Sequence, residues 1–188
     1  MKILCEVSVR HVHLSVKDVE ALFGKGAKLE FVRGLSQPNQ FVAAQKVDIV
    51  GPKRTIEGVA VLGPARSETQ VEISRTDCFT LGIKEVPVRQ SGLLDGTPGI
   101  TLKSGDKSIM LEKGVIVMQR HVHLDPASAK KNGLKDGQLV DLVIAGDRGG
   151  VLSNTVVRIS ESYAPAVHID SDEGNAMASS NEVIIRVK

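Results

Sequence analysis

Short apolar runs rich in Val and Ile recur along most of the chain, separated by Gly, Pro and polar turn residues. They include VDIVG (47–51), TIEGVAVLG (55–63), TQVEIS (69–74), GVIVM (114–118), QLVDLVIA (138–145), NTVVRIS (154–160), PAVHID (165–170) and EVIIRVK (182–188). Runs of this length and β-branched content predict strands rather than helices. Gly51-Pro52, Gly63-Pro64, Asp95-Gly96 and Asp136-Gly137 mark turns between them. Many short strands at this spacing predict barrels or sandwiches, not a doubly wound α/β sheet. No GxGxxG follows a strand and no P-loop is present, so nucleotide-binding folds of those kinds are disfavoured.

An internal repeat organises the pattern. The word RHVHLS (10–15) returns as RHVHLD (120–125), so His11 and His13 recur as His121 and His123, 110 positions on. Each copy runs into a helix-start signal. Ser15 can cap SVKDVEALFG, with Asp18 three residues later and Gly24 as the stop. Asp125 can cap the second segment, with Pro126 at the first helical position and Gly133 at its end. Strand, His pair and short helix therefore appear twice, which predicts two structurally related halves.

Composition changes this picture only at the edges. The 188 residues suffice for one large domain or two small ones. Aromatic residues make up 3% and Trp is absent, so the core must be aliphatic and stacking platforms for single-stranded nucleic acid are lacking. Net charge is +2 without a dense basic run, which argues against duplex binding and leaves anionic small molecules as substrates. Cys5 and Cys78 stand far apart, outside any CxxC, and read as reduced core thiols. MKILCEVSVR turns polar too early for a signal peptide, and no apolar run reaches the ~18 residues of a membrane span. A soluble intracellular protein is expected.

The histidines carry the candidate chemistry. Residues i and i+2 of a strand point to one face, so His11 and His13 present two imidazoles together, as do His121 and His123. Paired neutral imidazoles suit zinc. His168, in its apolar strand, is either a satisfied core histidine or a third ligand, and the two existing pairs favour the ligand. In TQVEIS, Gln70, Glu72 and Ser74 share a face. Glu72 is a carboxylate on a rigid strand, equally readable as a ligand or as a solvent-facing residue. Five His and one Glu make two sets of three, and three protein ligands with an open position are the mark of a catalytic zinc rather than a structural one. Paired metals can polarise one oxyanion. Arg10 and Arg120 precede the pairs; in a strand Arg10 faces away from His11, which suits a structural role or binding elsewhere. Arg66, from a loop, is the better fork for phosphate.

With those residues in view, the chain resembles the PduL-type phosphotransacylases, also called phosphate propanoyltransferases, over nearly its full length. The words that carry the resemblance are VSVRHVHLS (7–15), LSQPNQF (35–41), GPARSETQVEIS (63–74), PVRQSG (87–92), GTPGITL (96–102), RHVHLDP (120–126) and HIDSDEGNA (168–176). Val9 departs from the Ala more usual there. The resemblance implies an all-β protein of two small β-barrels capped by short α-helices, with the active site between them. Residues 10–118 would form the central barrel; residues 1–9 and 119–188 would form the second, the N-terminal strand joining the C-terminal segment. It implies interconversion of acyl-CoA plus phosphate with acyl phosphate plus CoA. Carried over by motif, one zinc would sit on His11, His13 and Glu72, and the other on His121, His123 and His168. Arg66 would hold phosphate, and Gln37, Gln40, Gln70, Ser91 and Arg158 would surround CoA.

The expected mechanism at this dinuclear zinc site is direct phosphate attack on a short-chain thioester, without a covalent acyl-enzyme and without Cys5 or Cys78. The alternatives are a zinc-dependent ester or thioester hydrolase and a non-catalytic zinc-binding module. Acetyl and propanoyl groups differ by one methylene, worth about 1–3 kcal/mol, so the sequence leaves the acyl chain open. It leaves open, too, the native metal, the favoured direction and whether copies form a homo-oligomer. The partners expected are small molecules, with neither nucleic acid nor membrane. The first motif begins at Val7 and the last strand ends at Lys188, leaving no room for a microcompartment-targeting extension. Cytoplasmic residence is expected, with recruitment to a microcompartment left open.

Overall fold

The apolar runs become strands, and the two His words become strands that run straight into helices. The computed structural model describes residues 1–177 and 181–187. In chain order, the first half holds β1 (Lys2–Ser8), β2 (His11–His13), α1 (Val16–Phe23), β3 (Phe31–Gly34), β4 (Phe41–Val50), β5 (Thr55–Gly63), β6 (Gln70–Ile73) and α2 (Arg75–Leu81). The rest holds β7 (Val88–Arg89), β8 (Thr101–Ser104), β9 (Lys107–Met110), β10 (Val115–Met118), β11 (His121–Leu124), α3 (Pro126–Lys131), β12 (Leu139–Ile144), β13 (Gly150–Ile159), β14 (Ala166–Asp170), α4 (Ser171–Met177) and β15 (Glu182–Val187). Among the described residues no helix is long and apolar enough to cross a membrane.

The chain divides into two units: residues 1–9, 36–38 and 119–188 in one, residues 10–35 and 39–118 in the other. The first is a closed barrel in the order β1-β14-β11-β13-β12-β15. The second is a sheet in the order β7-β10-β6-β2-β5-β4-β8-β9, with β3 added on β4, curled into half a barrel. The protein is thus all-β with short helices, and one of the two expected barrels stays open. Closure needs one strand that pairs with both edges. β15 does this in the first unit, pairing with β12 on one side and β1 on the other. In the second unit the same place goes to the β8–β9 hairpin, which pairs with β4 alone.

The sequence repeat extends into topology. In the open sheet β10 is parallel to β6, β6 antiparallel to β2, and β2 parallel to β5. In the barrel β1 is parallel to β14, β14 antiparallel to β11, and β11 parallel to β13. These are the same four strands in the same order and sense. The leading strands are exchanged between the two blocks: β1 precedes β2 in sequence but pairs in the block of β11, and β10 precedes β11 but pairs in the block of β2.

Each block encloses its own aliphatic core. Val12, Leu14, Ile49, Val61, Val71, Leu81 and Leu102 anchor the open unit, and Val122, Leu124, Leu142, Val157 and Ile169 anchor the barrel. The last residue of each RHVHL word, Leu14 or Leu124, is wholly buried. Truncating either to Ala removes three buried carbons and leaves a cavity, costing about 2–5 kcal/mol. For a chain of this size a thermal melt should show the midpoint falling by roughly 5–15 °C for either variant. Equal melting of Leu124→Ala and the parent would mean that this position is not core.

Candidate metal centres

Two buried clusters form where the His strands meet their antiparallel neighbours. His11 stands opposite Glu72 and His13 opposite Gln70 across β2 and β6. His121 stands opposite His168 across β11 and β14. Glu72 and His168 are therefore positional equivalents in the two blocks. In each cluster the donor atoms of the three residues, His11, His13 and Glu72 or His121, His123 and His168, lie within 4.8 Å of one another. The structure thus brings together, in two triplets, the six residues that the sequence singled out. Val12 and Val122, between the paired imidazoles, point the other way and are fully buried.

Every ligand strand ends in a helix cap two residues beyond its last candidate ligand. Ser15 follows His13, Ser74 follows Glu72, Asp125 follows His123 and Asp170 follows His168. The Ser15, Ser74 and Asp125 side chains each accept a backbone N–H in the first turn of the next helix. Asp170 does the same for Glu173 N, at 2.8 Å. Of these helices α1 and α3 are the ones the sequence predicts, and α2 and α4 are additional. The signals were Ser74-x-x-Asp77 and Asp170-x-x-Glu173, capping boxes buried in words otherwise read as strand ends. At α3 the expected stop shifts by one residue: Asn132 is the C-cap, and Gly133 follows with φ 65°.

The donor set fits a metal on an observation independent of spacing. Nδ1 of His13 and both ring nitrogens of His123 are buried without a hydrogen-bond partner. An orphaned buried polar atom costs about 1–3 kcal/mol, so such nitrogens are rare unless something else binds them. Burial, then the neighbouring His11 and Arg66, holds His13 well below its ordinary pKa. Burial, then His121, His168 and Arg158, pulls His123 down to about 2. Both imidazoles are thus neutral near pH 7 and offer lone pairs, the state that zinc requires. Nδ1 of His121 lies 2.9 Å from the Gln119 carbonyl and donates to it, which leaves Nε2 to face the cluster. Burial alone would raise the Glu72 carboxyl, but His11, by charge and hydrogen bond, and Arg66 outweigh it and keep the group ionised.

Around Glu72 the polar residues form one network. Arg66 Nη1 donates to Ser91 Oγ at 2.9 Å, and Ser91 Oγ donates to Glu72 Oε1 at 3.0 Å. Gln70 Nε2 donates to Ser91 Oγ at 2.8 Å and also to Glu72, while its carbonyl oxygen accepts from Gly92 N at 2.7 Å. Arg66 reaches this place because its backbone N–H bonds the Leu14 carbonyl, directly after the first His pair. Gln70 and Ser91 thus sit against Glu72. Gln37 belongs to the barrel unit, where its amide donates to and accepts from the Ala164 backbone at 3.0 and 3.3 Å. Gln40 is half-buried just before β4. Arg158 stands opposite His123 in register, with its guanidinium carbon 5.7 Å from the Tyr163 ring centre.

Two further residues touch the second cluster. Tyr163 stacks on His123 with ring centres 3.9 Å apart and 18° between planes. Glu6 Oε2 lies 3.7 Å from His168 Nδ1, and Ser36 Oγ donates to the same oxygen. Neither has a spacing signal, because each reaches its histidine through the fold.

Comparison with known proteins bears on what these clusters serve. The family model described as phosphate propanoyltransferase matches residues 4–180. The phosphate propanoyltransferase of Rhodopseudomonas palustris is 46% identical over 181 residues, covering 96% of this chain and 80% of that protein. That of Thermotoga maritima is 49% identical over 175 residues, 93% of this chain and 83% of the relative. That of Listeria monocytogenes is 50% identical over 171 residues, 91% and 80% respectively.

Proposed function

The chain belongs to the phosphate propanoyltransferase family and is a phosphate acyltransferase, and on that premise we propose that it is a dinuclear zinc enzyme in which phosphate attacks a short-chain acyl-CoA directly. One zinc would be held by His11, His13 and Glu72 and the other by His121, His123 and His168. The observation that carries this reading is the link Arg66–Ser91–Glu72, which couples a guanidinium suited to phosphate to one of two buried three-donor sets. When bound, zinc supplies Lewis-acid stabilisation of developing negative charge at the acyl carbon's oxygen.

The residues of the chain do the remainder by placement. Arg66 takes phosphate oxygens with its planar fork, and Ser91 fixes the direction of that fork by accepting from Nη1. Gln70 holds Ser91 and the following backbone at Gly92, so the phosphate side of the site is rigid. Holding both reactants at attack distance supplies much of the rate. A phosphate oxygen forms a bond to the thioester carbonyl carbon, the tetrahedral adduct collapses, and the carbon–sulfur bond breaks toward sulfur. Hydrogenphosphate plus acyl-CoA thereby gives acyl phosphate plus CoA, the proton of the hydrogenphosphate ending on the CoA sulfur. No side-chain nucleophile enters. Cys5, the nearest thiol in sequence to the first His word, is buried and its pKa is raised to about 11 by burial, then by Glu173 and Glu6. Arg158 with Tyr163, and Gln40, are our candidates for the CoA side.

Metal analysis and a CoA-release assay on acetyl-CoA and propanoyl-CoA test the proposal together. We expect two zinc ions per chain and release that falls to background when phosphate is omitted. Release indifferent to phosphate would make the protein a thioester hydrolase instead. Exchange of labelled CoA into acyl-CoA without phosphate would establish an acyl-enzyme and end the direct-attack mechanism.

A further inference from the structure

The arginines that open the two His words have no place in the chemistry just described, yet both are tied down in the same manner. Arg10 donates from Nε to Asp77 Oδ1 at 2.8 Å, and its Nη2 lies 2.7 Å from the same oxygen. Asp77 is the third residue of α2 and its side chain is 2% exposed. Its other oxygen accepts from Ser74 N at 3.0 Å, closing the capping box that follows Glu72. In the barrel unit Arg120 pairs through Nη1 with Glu173 Oε1 and donates twice to the Ser153 carbonyl, at 2.9 and 2.7 Å. Glu173 Oε2 accepts from Asp170 N at 3.1 Å, closing the capping box that follows His168.

The two arrangements match step for step. The third candidate ligand is followed at +2 by the cap residue and at +5 by an acid. That acid gives one oxygen to the cap backbone and the other to the arginine preceding the paired histidines. We propose that Arg10 and Arg120 are positioning residues. Each fixes the third ligand of its own set, Glu72 or His168, against the His pair by clamping the helix that the third ligand's strand runs into. The inference rests on the metal reading above.

The physical need is plain. β2 and β6 share three register pairs, and β11 and β14 also three, so a tie from the residue before each His pair to the helix after the third ligand adds a constraint across the same two strands. Ligand geometry tolerates displacements of only ~0.5 Å before affinity suffers. A planar guanidinium can spread its N–H groups over fixed acceptors, two on Asp77 Oδ1 for Arg10, and Glu173 with the Ser153 carbonyl for Arg120, a geometry that an ammonium does not reproduce. Removing the arginine also leaves Asp77 buried with half its partners.

The test is metal affinity, read on the full-length protein by competition of zinc with a chromogenic chelator, together with the cobalt d–d spectrum. Arg10→Gln should weaken one of the two metal equivalents by about 10–100-fold, the range for outer partners of a ligand, while the other equivalent is unchanged. Arg120→Gln should weaken the complementary one. Arg10→Lys and Arg120→Lys should fall between Gln and parent, and they carry the test should a Gln variant fail to fold. A role confined to stability would lower the melting midpoint with zinc affinity and cobalt spectrum unaltered, and that overturns the proposal. A raised phosphate KM at unchanged metal affinity would overturn it too, assigning the arginines to substrate. If the parent protein takes up no zinc, the metal reading fails first, which separates the two failures.

Discussion

Glu72→Gln should leave a folded protein that binds one zinc ion per chain instead of two and loses at least ~100-fold in kcat/KM, since a partner one shell further out already accounts for 10–100-fold. The substitution keeps shape and an oxygen able to accept from Ser91, but removes the negative charge. Glu72 is 5% exposed, and it stays ionised there because His11 and Arg66 outweigh the effect of burial. A neutral amide in that place no longer offsets a divalent cation, and two neutral imidazoles alone make a weak site. Folding should survive, because burying an amide is easier than burying a carboxylate. The checks are zinc stoichiometry by elemental analysis, steady-state kinetics and a melt on the same preparation. His168→Ala should empty the other equivalent, so the single zinc ion left in each variant should compete with the chelator at a different affinity. Two zinc ions and full activity in Glu72→Gln would remove the carboxylate from the site.

The sequence declares some elements more plainly than others. Thr55–Gly63 becomes a strand with the bounds of its apolar run, and Ser15 and Asp125 cap the helices their side-chain chemistry predicts. Those signals are local. Glu72 was balanced between ligand and solvent-facing residue because alternation gives a face and not what covers it. β6 lies between β2 and β10, and all four of its residues are buried, Gln70 and Glu72 included. Open against closed sheet was likewise out of reach, since it depends on β15 finding β1 across most of the chain. Arg10 stands just before β2 and not in it, and its partner Asp77 lies 67 residues on. Long-range pairings of this kind leave no mark in periodicity.

The capping boxes show where more could have been read. Ser-x-x-Asp at 74–77 and Asp-x-x-Glu at 170–173 are readable words. They are hard to see because each closes an alternating run, TQVEIS or PAVHID, that reads as strand to its end, without the Pro at the first helical position that marks the six-residue α3. Once both are seen, the repeat covers four ligand strands rather than two. Each carries its candidate ligands to within two residues of a helix cap.

Arg66→Ala should leave both metal equivalents in place while raising the phosphate KM and lowering kcat/KM by about 10²–10³, as expected for losing one preorganised donor to developing charge. Arg66 reaches Glu72 through Ser91 and is not one of the three donors of that cluster, so its loss should not release zinc. Because an enzyme cannot alter the equilibrium constant, the reverse rate must fall alongside the forward one. Acyl phosphate presents the same phosphate group, so its KM should rise as well, whereas the KM values for CoA and acyl-CoA should hardly move. Arg66→Lys restores charge without the planar fork and should recover only part of the loss. Ser91→Ala should fall nearer the parent, since it frees the guanidinium without removing it. The split between phosphate and CoA parameters is the deciding measurement. An unchanged phosphate KM, or a drop in zinc content that tracks the lost activity, would move Arg66 from substrate binding to support of the metal site.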